Sequence, residues 1–185
     1  EQLHARAALL VGKLDGVTQL LPDVDLFIFM YARKEAALSS EIEGTKATMS
    51  DAIRAEIEMT SDLPPDVDRI LHYIQAMNQG LKRLESLPLS KRLIGEVHKT
   101  LLEGTGDAPG KTPGEFRTSQ NWIGGASPAT ARFVPPPINE MKEALSDWEK
   151  FLYTKDDLTP LIKTALMHAQ FETIHPFLDG NGRTG

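Results

Sequence analysis

Apolar residues recur along most of this chain at intervals of three and four, the spacing of helices that bury one face. Leu3, Ala7, Leu10, Leu14 and Val17 mark a first helix, which Pro22 closes. A second is expected from about Asp23 to Glu43, with Leu26, Phe29, Met30 and Ala37 on its buried side. Gly44 stands just past its end, where a left-handed backbone favours glycine. Ser50 is placed to cap a short helix carrying Ile53 and Ile57. Pro64, Pro65 and Asp66 open a long helix with Ile70, Ile74, Met77, Leu81 and Leu84 inward, and Pro88 follows it. Ser90 caps the next, with Leu93, Ile94, Val97 and Leu101 inward and Gly104 at its end.

The period disappears between residues 104 and 137, a stretch rich in Gly and Pro. Trp122-Ile123 and Ala131 to Val134 are short strand segments around the turn-forming run 124–128, so a β-hairpin is expected there. An ordinary connecting hairpin explains this pattern as well as a functional one does. Pro135 to Pro137 end it. Helix returns with Met141, Leu145, Trp148 and Leu152. Thr159-Pro160 then starts a final helix running to about Thr173, with Ile162, Ala165, Leu166, Ala169 and Phe171 supplying its buried surface.

With 185 residues, 41% hydrophobic and 25% charged, the composition is that of a globular protein able to bury a core. There is no apolar run of about 18 residues, so no membrane helix is expected. The lack of cysteine excludes disulfides and thiolate metal sites and fits a cytoplasmic setting. The net charge of -6 argues against broad nucleic-acid binding by this segment, while leaving room for a small basic pocket. The chain begins without methionine, so it reads as a piece of a longer protein.

Candidate chemistry concentrates in residues 175–183. His175 stands beside a glycine-rich polar turn, and a neutral imidazole can take a proton from a hydroxyl. An isolated histidine reads more readily as a structural side chain, but these neighbours reverse the preference. Asp179 suits Mg²⁺, which is usually held by one carboxylate together with substrate phosphates. An Asx turn before glycine reads equally well. Gly180-Asn181-Gly182 can aim successive N–H groups into one anion-binding turn, though a lone Gly-Asn-Gly is usually only a turn. Arg183 offers a planar fork for phosphate oxygens, and alone it would read as a surface residue. His4, His72, His98 and His168 fall in helices without a partner at metal-binding spacing and receive no role.

The run from His175 through Arg183 resembles the active-site motif of the Fic (Fic/Doc) family, His-x-Phe-x-(Asp/Glu)-Gly-Asn-Gly-Arg-x-x-Arg, whose second arginine would follow Gly185. The resemblance implies a mainly α, Fic-type helical bundle with a small β-hairpin flap. It also implies transfer of AMP from ATP to a Ser, Thr or Tyr hydroxyl of a target protein. His175 would deprotonate the hydroxyl and Asp179 would hold Mg²⁺. Gly180, Asn181 and Gly182 would cradle phosphates, and Arg183 would contact the departing ones. Ser39-Ser-Glu-Ile-Glu43-Gly44 resembles the family's inhibitory motif, (Ser/Thr)-x-x-x-Glu-(Gly/Asn). A carboxylate in the last turn of a helix typically costs about 0.3–1 kcal/mol, which a cationic partner would offset; in the family this is the motif's second arginine.

On that resemblance, residues 1–60 form an N-terminal region with the inhibitory helix at about 24–44, and 61–185 form the Fic core. Pro113-Gly-Glu-Phe-Arg117 resembles the segment before the family's flap, with Ile123, Gly124 and Phe133 as target-binding candidates. Self-modification and homo-oligomers are compatible partners. Relatives that transfer UMP, phosphocholine or phosphate, or that remove AMP, define alternative activities. A non-catalytic binding module is the remaining one.

Overall fold

The computed structural model describes residues 2–58, 64 and 66–185, which form a mainly α bundle. Its helices are α1 (Gln2–Thr18), α2 (Val24–Ile42), α3 (Met49–Glu58), α4 (Val67–Leu84), α5 (Lys91–Leu102), α6 (Ile138–Tyr153), α7 (Pro160–Ile174) and the short α8 (Asn181–Thr184). Helix starts follow local chemistry. The Asp23 carboxylate accepts from the Leu26 N–H at 2.8 Å, and Ser90 Oγ accepts from the Leu93 N–H at 3.3 Å. For α3 the cap is Thr48 rather than Ser50. Thr48 Oγ1 accepts from the Asp51 N–H, and the Asp51 carboxylate accepts from the Thr48 N–H, a reciprocal pair that satisfies two donors. Gly44 and Gly104 take left-handed backbones, φ 91° and 87°, at the ends of α2 and α5.

The buried apolar residues pack in two larger clusters and one smaller. Ala36, Ala47, Ala52, Val67, Ile70 and Ile74 join α2, α3 and α4. Ile94, Met141, Leu145, Trp148, Met167, Phe171, Ile174 and Phe177 join α5, α6, α7 and the loop beyond α7. Between the clusters α4 lies along α5, sharing Ala76, Leu101 and Leu102. The domain boundary expected after residue 60, and Pro65 at the start of α4, lie outside the described residues.

Four expected helix faces, and the end of a fifth, turn out otherwise. In α1 no residue is buried: Leu3, Leu10, Leu14 and Val17 are exposed, and His4 Nε2 lies 2.8 Å from Thr159 Oγ1 at the start of α7. Helix α2 buries Arg33, Ala36 and Ser40 instead of Leu26, Phe29 and Met30. Small side chains let α2 approach α4 closely. Arg33 holds Glu56 of α3 through two hydrogen bonds, 2.6 and 2.8 Å, with its guanidinium over the Phe29 ring. In α3 the buried residue is Ala52, while Ile57 is exposed. Helix α7 buries Met167, Phe171 and Ile174, leaving Ile162, Ala165, Leu166 and Ala169 outside. It is apolar on nearly every side, so spacing offered two stripes and packing chose the other. Leu81 and Leu84 of α4, expected inward, are likewise exposed.

The expected hairpin is one antiparallel bridge, Ile123 with Phe133, rather than two strands. The Ile123 N–H donates to Phe133 O at 2.9 Å. A 3-10 turn at Pro128–Thr130 and left-handed Gly124 and Gly125 fill the space between. A Cβ on Gly125 would stand 2.3 Å from Thr130 O, so only glycine fits. Among the described residues, no helix is long and apolar enough to cross a membrane.

Candidate active site

Helix α7 ends by turning sharply. His175 caps it in a left-handed conformation, φ 49° and ψ 61°, with its N–H donating to Phe171 O at 2.9 Å. A non-glycine residue in that region is costly, and the surroundings must fix it. Arg117, buried at 1% exposure, supplies much of that constraint. Its Nε donates to His175 O at 3.0 Å and its Nη2 to Pro136 O at 2.5 Å, while its own N–H donates to Pro176 O at 2.8 Å. A cation at the carbonyl end of α7 also complements the helix dipole. Asn121 Nδ2 donates to Phe177 O at 2.9 Å and to His175 O at 3.3 Å. The segment leading to Ile123, Gly124 and Phe133 is thereby tied to the backbone of His175.

Replacing Arg117 with methionine keeps much of the bulk and leaves these carbonyls without donors. The expected loss is about 2–3 kcal/mol of unfolding free energy, read by urea denaturation, since bonds from charged donors are each worth about that much. A loss below about 0.5 kcal/mol would contradict this assignment.

Beyond His175 the chain folds back on itself. Asn181 Oδ1 accepts from the Phe177 N–H, and its Nδ2 donates to Phe177 O, both at 2.9 Å. The Asn181 side chain, expected to help cradle phosphate, is committed to closing this loop. It leaves only its N–H for a ligand. The Asp179 carboxylate accepts from the Gly180 N–H at 2.6 Å, and Gly180 is left-handed at φ 70°. The first N–H groups of α8, on Asn181, Gly182 and Arg183, have no acceptor within their own helix.

Arg183 is buried, with its side chain 3% exposed. Its Nη2 lies 3.4 Å from Asp107 and 3.8 Å from Asp179, whereas its Nε and Nη1 are buried without a hydrogen-bond partner. Such donors are expensive to leave unmet, and an anion would satisfy them. Asp107 also pairs with Arg69 at 2.7 Å, and Lys111 Nζ stands 3.6 Å from Asp179. These cations surround the turn although the chain as a whole is acidic.

Glu43 reaches the same turn from the end of α2. A Cβ built on Gly182 would stand 2.6 Å from Glu43 Oε1, so the carboxylate lies directly over that glycine. Ser39, one turn earlier, donates from Oγ to Glu35 at 2.7 Å rather than toward Glu43. A cavity of about 400 Å³ adjoins Gly182 and Arg183, with Glu35, Ser39 and Tyr73 on its other wall. A larger cavity of about 570 Å³ lies between α6 and α7, lined in part by Leu89, Trp148 and Met167; it includes neither His175 nor Asp179.

Burial pushes the pKa of His175 below its usual value; the nearby Glu172 backbone and the Asp179 charge oppose this, and the Arg117 charge adds to it. Its Nδ1 is buried. The imidazole is therefore neutral at pH 7. His98 is pushed down as well, again chiefly by burial. Both histidines titrate higher when unfolded, near about 6.5, so the unfolded chain binds more protons below that pH. Stability should hold above about pH 6.5 and fall as pH drops toward the lower folded values. Urea titrations between about pH 8 and 5 would read this, and a shallower slope is expected with glutamine at both positions.

Among the described residues, no three His, Cys, Asp or Glu side chains gather to hold a metal. Asp179 contributes one carboxylate, about one-third exposed. That fits a hard cation whose other ligands are water and phosphate, such as Mg²⁺.

His175, Asp179, Gly180, Gly182, Arg183 and Glu43 thus meet at one place, with the Ile123–Phe133 bridge attached through Asn121. The Asn181 side chain faces elsewhere, and the Ser39 hydroxyl is turned to Glu35, although Ser39 lines the cavity beside Gly182 and Arg183. Three residues here were not anticipated: His98, Arg117 and Asn121 act on the backbone of the loop from distant positions.

Residues 2–82 match the family described as Fic/DOC family N-terminal, and residues 88–185 match the Fic/DOC family. Curated relatives include the protein adenylyltransferase Fic of Nematostella vectensis, 30% identical over 154 residues, covering 79% of this chain and 34% of that protein. The probable protein adenylyltransferase of Aquifex aeolicus is 26% identical over 176 residues, covering 92% of this chain and 49% of the relative. The chain therefore spans between a third and a half of these relatives' lengths. A Fic family protein from Desulfovibrio desulfuricans superposes with a TM-score of 0.71 at 20% identity, over 99% of this chain and 53% of the other. A Fic domain containing signaling protein from Bacteroides thetaiotaomicron gives 0.70 at 20% identity, over 90% and 65%.

Proposed function

Because the chain belongs to the Fic/DOC family, we propose that it is a protein adenylyltransferase that moves AMP from ATP to a hydroxyl side chain of a target protein, held in check by Glu43. The observation that carries this reading is the pair of buried, unpartnered donors on Arg183, at the turn that follows the neutral imidazole of His175. The turn demands an anion, and the imidazole can take a proton.

In this reading ATP lays its phosphates along the N–H groups of Asn181, Gly182 and Arg183, and the Arg183 guanidinium gathers the departing ones. The target hydroxyl oxygen attacks the α-phosphorus and gives its proton to His175. The bond from the α-phosphorus to the bridging oxygen breaks, and pyrophosphate leaves. Asp179 is the residue to hold Mg²⁺, which when bound neutralises charge on the phosphates. Ile123, Gly124 and Phe133, tied to His175 through Asn121, form the edge against which a target backbone aligns. Glu43 over Gly182 places negative charge where phosphate would lie, and so opposes the productive pose.

A second direction is favoured by one feature. Glu43 is exposed and, among the described residues, its carboxylate has no hydrogen-bond or ion-pair partner and stands near the Glu172 carboxylate, which suits it to orient a water for removal of AMP from a modified target.

Parallel incubations with ATP labelled at the α- or the γ-phosphate test the donor chemistry, with the chain itself as a self-modification target. Label retained on protein from the α-position alone is expected. Label from the γ-position would mean phosphate transfer instead.

A further inference from the structure

His98 belongs to the apolar stripe of α5, is fully buried, and has no place in the chemistry above. It nonetheless makes two hydrogen bonds and one ring stack, and two of these three contacts fall on the turn. The Gly114 N–H donates to its Nδ1 at 2.9 Å, so Nδ1 carries the lone pair. The ring proton therefore sits on Nε2, which donates to Asp179 O at 2.9 Å. Its face stacks on Phe177, with ring centres 3.7 Å apart and planes within 5°. Its edge fills the space beside Gly180: a Cβ there would meet His98 Cδ2 and Nε2 at 3.5 Å. One ring thus touches Phe177, Asp179 and Gly180, the residues between the imidazole of His175 and the anion turn.

Asp179 O belongs to the peptide that joins Asp179 to Gly180. Fixing that oxygen fixes the peptide plane, which sets where the Gly180 N–H meets the Asp179 carboxylate and where α8 begins. Resting on the transferase reading, we infer that His98 is a positioning residue: its Nε2–H locks the Asp179–Gly180 peptide so that the Asp179 carboxylate and the N–H groups of 181–183 face the phosphates. It touches no substrate. Gly114, left-handed at φ 86°, lies so close to α5 that a Cβ on Gly95 would stand 2.9 Å from Gly114 O. The ring thereby ties the turn to the 110s loop as well.

Two substitutions separate the two hydrogen bonds. Counting from Cβ, an asparagine oxygen falls where Nδ1 does, and a glutamine nitrogen reaches where Nε2 does. His98→Asn keeps the Gly114 contact and loses Asp179; His98→Gln does the reverse. Both lose the stacked ring, so both should lower the melting temperature alike. Transfer would be measured in the full-length protein released by Glu43→Gly, and amide hydrogen exchange would be followed over residues 178–184.

The expected result is faster exchange at 179–183 in His98→Asn than in His98→Gln, with kcat/KM for ATP at least about tenfold lower in His98→Asn, the equivalent of about 1.4 kcal/mol. Equal exchange and equal kcat/KM in the two variants would overturn the inference, whatever their stability. If the exchange contrast appears but no variant transfers AMP, the transferase reading falls and the placement of the turn by His98 stands. If transfer is robust and indifferent to the choice of Asn or Gln, the inference falls and the transferase reading stands.

Discussion

Replacing His175 with alanine is expected to lower AMP transfer about 10²- to 10⁴-fold, the range that a positioned general base contributes. The case rests on environment more than on residue type. Burial lowers the imidazole pKa, so the proton-accepting form dominates at pH 7. Its Nδ1 is buried, so Nε2 is the ring nitrogen left to meet a hydroxyl. The left-handed backbone at His175 is held by Arg117 and Asn121, which bond its carbonyl rather than its ring. Alanine should therefore leave the turn and the ATP site standing. The effect should appear in kcat with little change in KM for ATP, as expected when the lost interaction is made only in the transition state. A large rise in KM with kcat preserved would point instead to a structural role for the ring.

The second large effect has the opposite sign. Glu43→Gly is expected to raise transfer about 5- to 150-fold, the span of a coupling energy of about 1–3 kcal/mol. The carboxylate lies over Gly182, close to the buried Arg183 donors that an ATP phosphate would satisfy. Two anions cannot share that position, so ATP must bind against Glu43 or in a displaced pose. Removing the carboxylate removes the competitor. It also relieves a negative charge at the carbonyl end of α2, so the variant should not lose stability through that term. Glu43→Gln is the informative companion: it keeps the bulk and loses the charge. If repulsion dominates, Gln should approach Gly in rate; if bulk dominates, it should stay near the starting protein.

How the sequence related to the structure differs from element to element. Helices α4, α5 and α6 were legible because each has one apolar stripe and a polar remainder, so Ile70, Ile74, Leu93, Leu101, Met141 and Leu145 could face only one way. Helices α1, α2 and α7 carry apolar residues on several sides, and spacing alone could not select a face. In α2 the choice fell to close approach: Ala36 and Ser40 fit against α4, while Phe29 ended under the Arg33 guanidinium. The chemistry of residues 175–183 was legible because its groups are contiguous and mutually reinforcing. Asn181 shows the limit of that reading, since its side chain closes the loop instead of facing a ligand. Arg117, Asn121 and His98 were not legible because each acts through backbone atoms more than 50 residues away. The available signal was a histidine inside the apolar stripe Leu93, Ile94, Val97, Leu101, where a titratable ring needs buried partners.

The most direct measurement of the central claim is label transfer from α-labelled ATP with Mg²⁺, comparing the full-length protein with Glu43→Gly and with Glu43→Gly/His175→Ala. The account predicts weak self-labelling in the unmodified protein, a marked rise on Glu43→Gly, and loss of that rise when His175 is also replaced. Labelling that is indifferent to Glu43, or that survives the loss of His175, would contradict it.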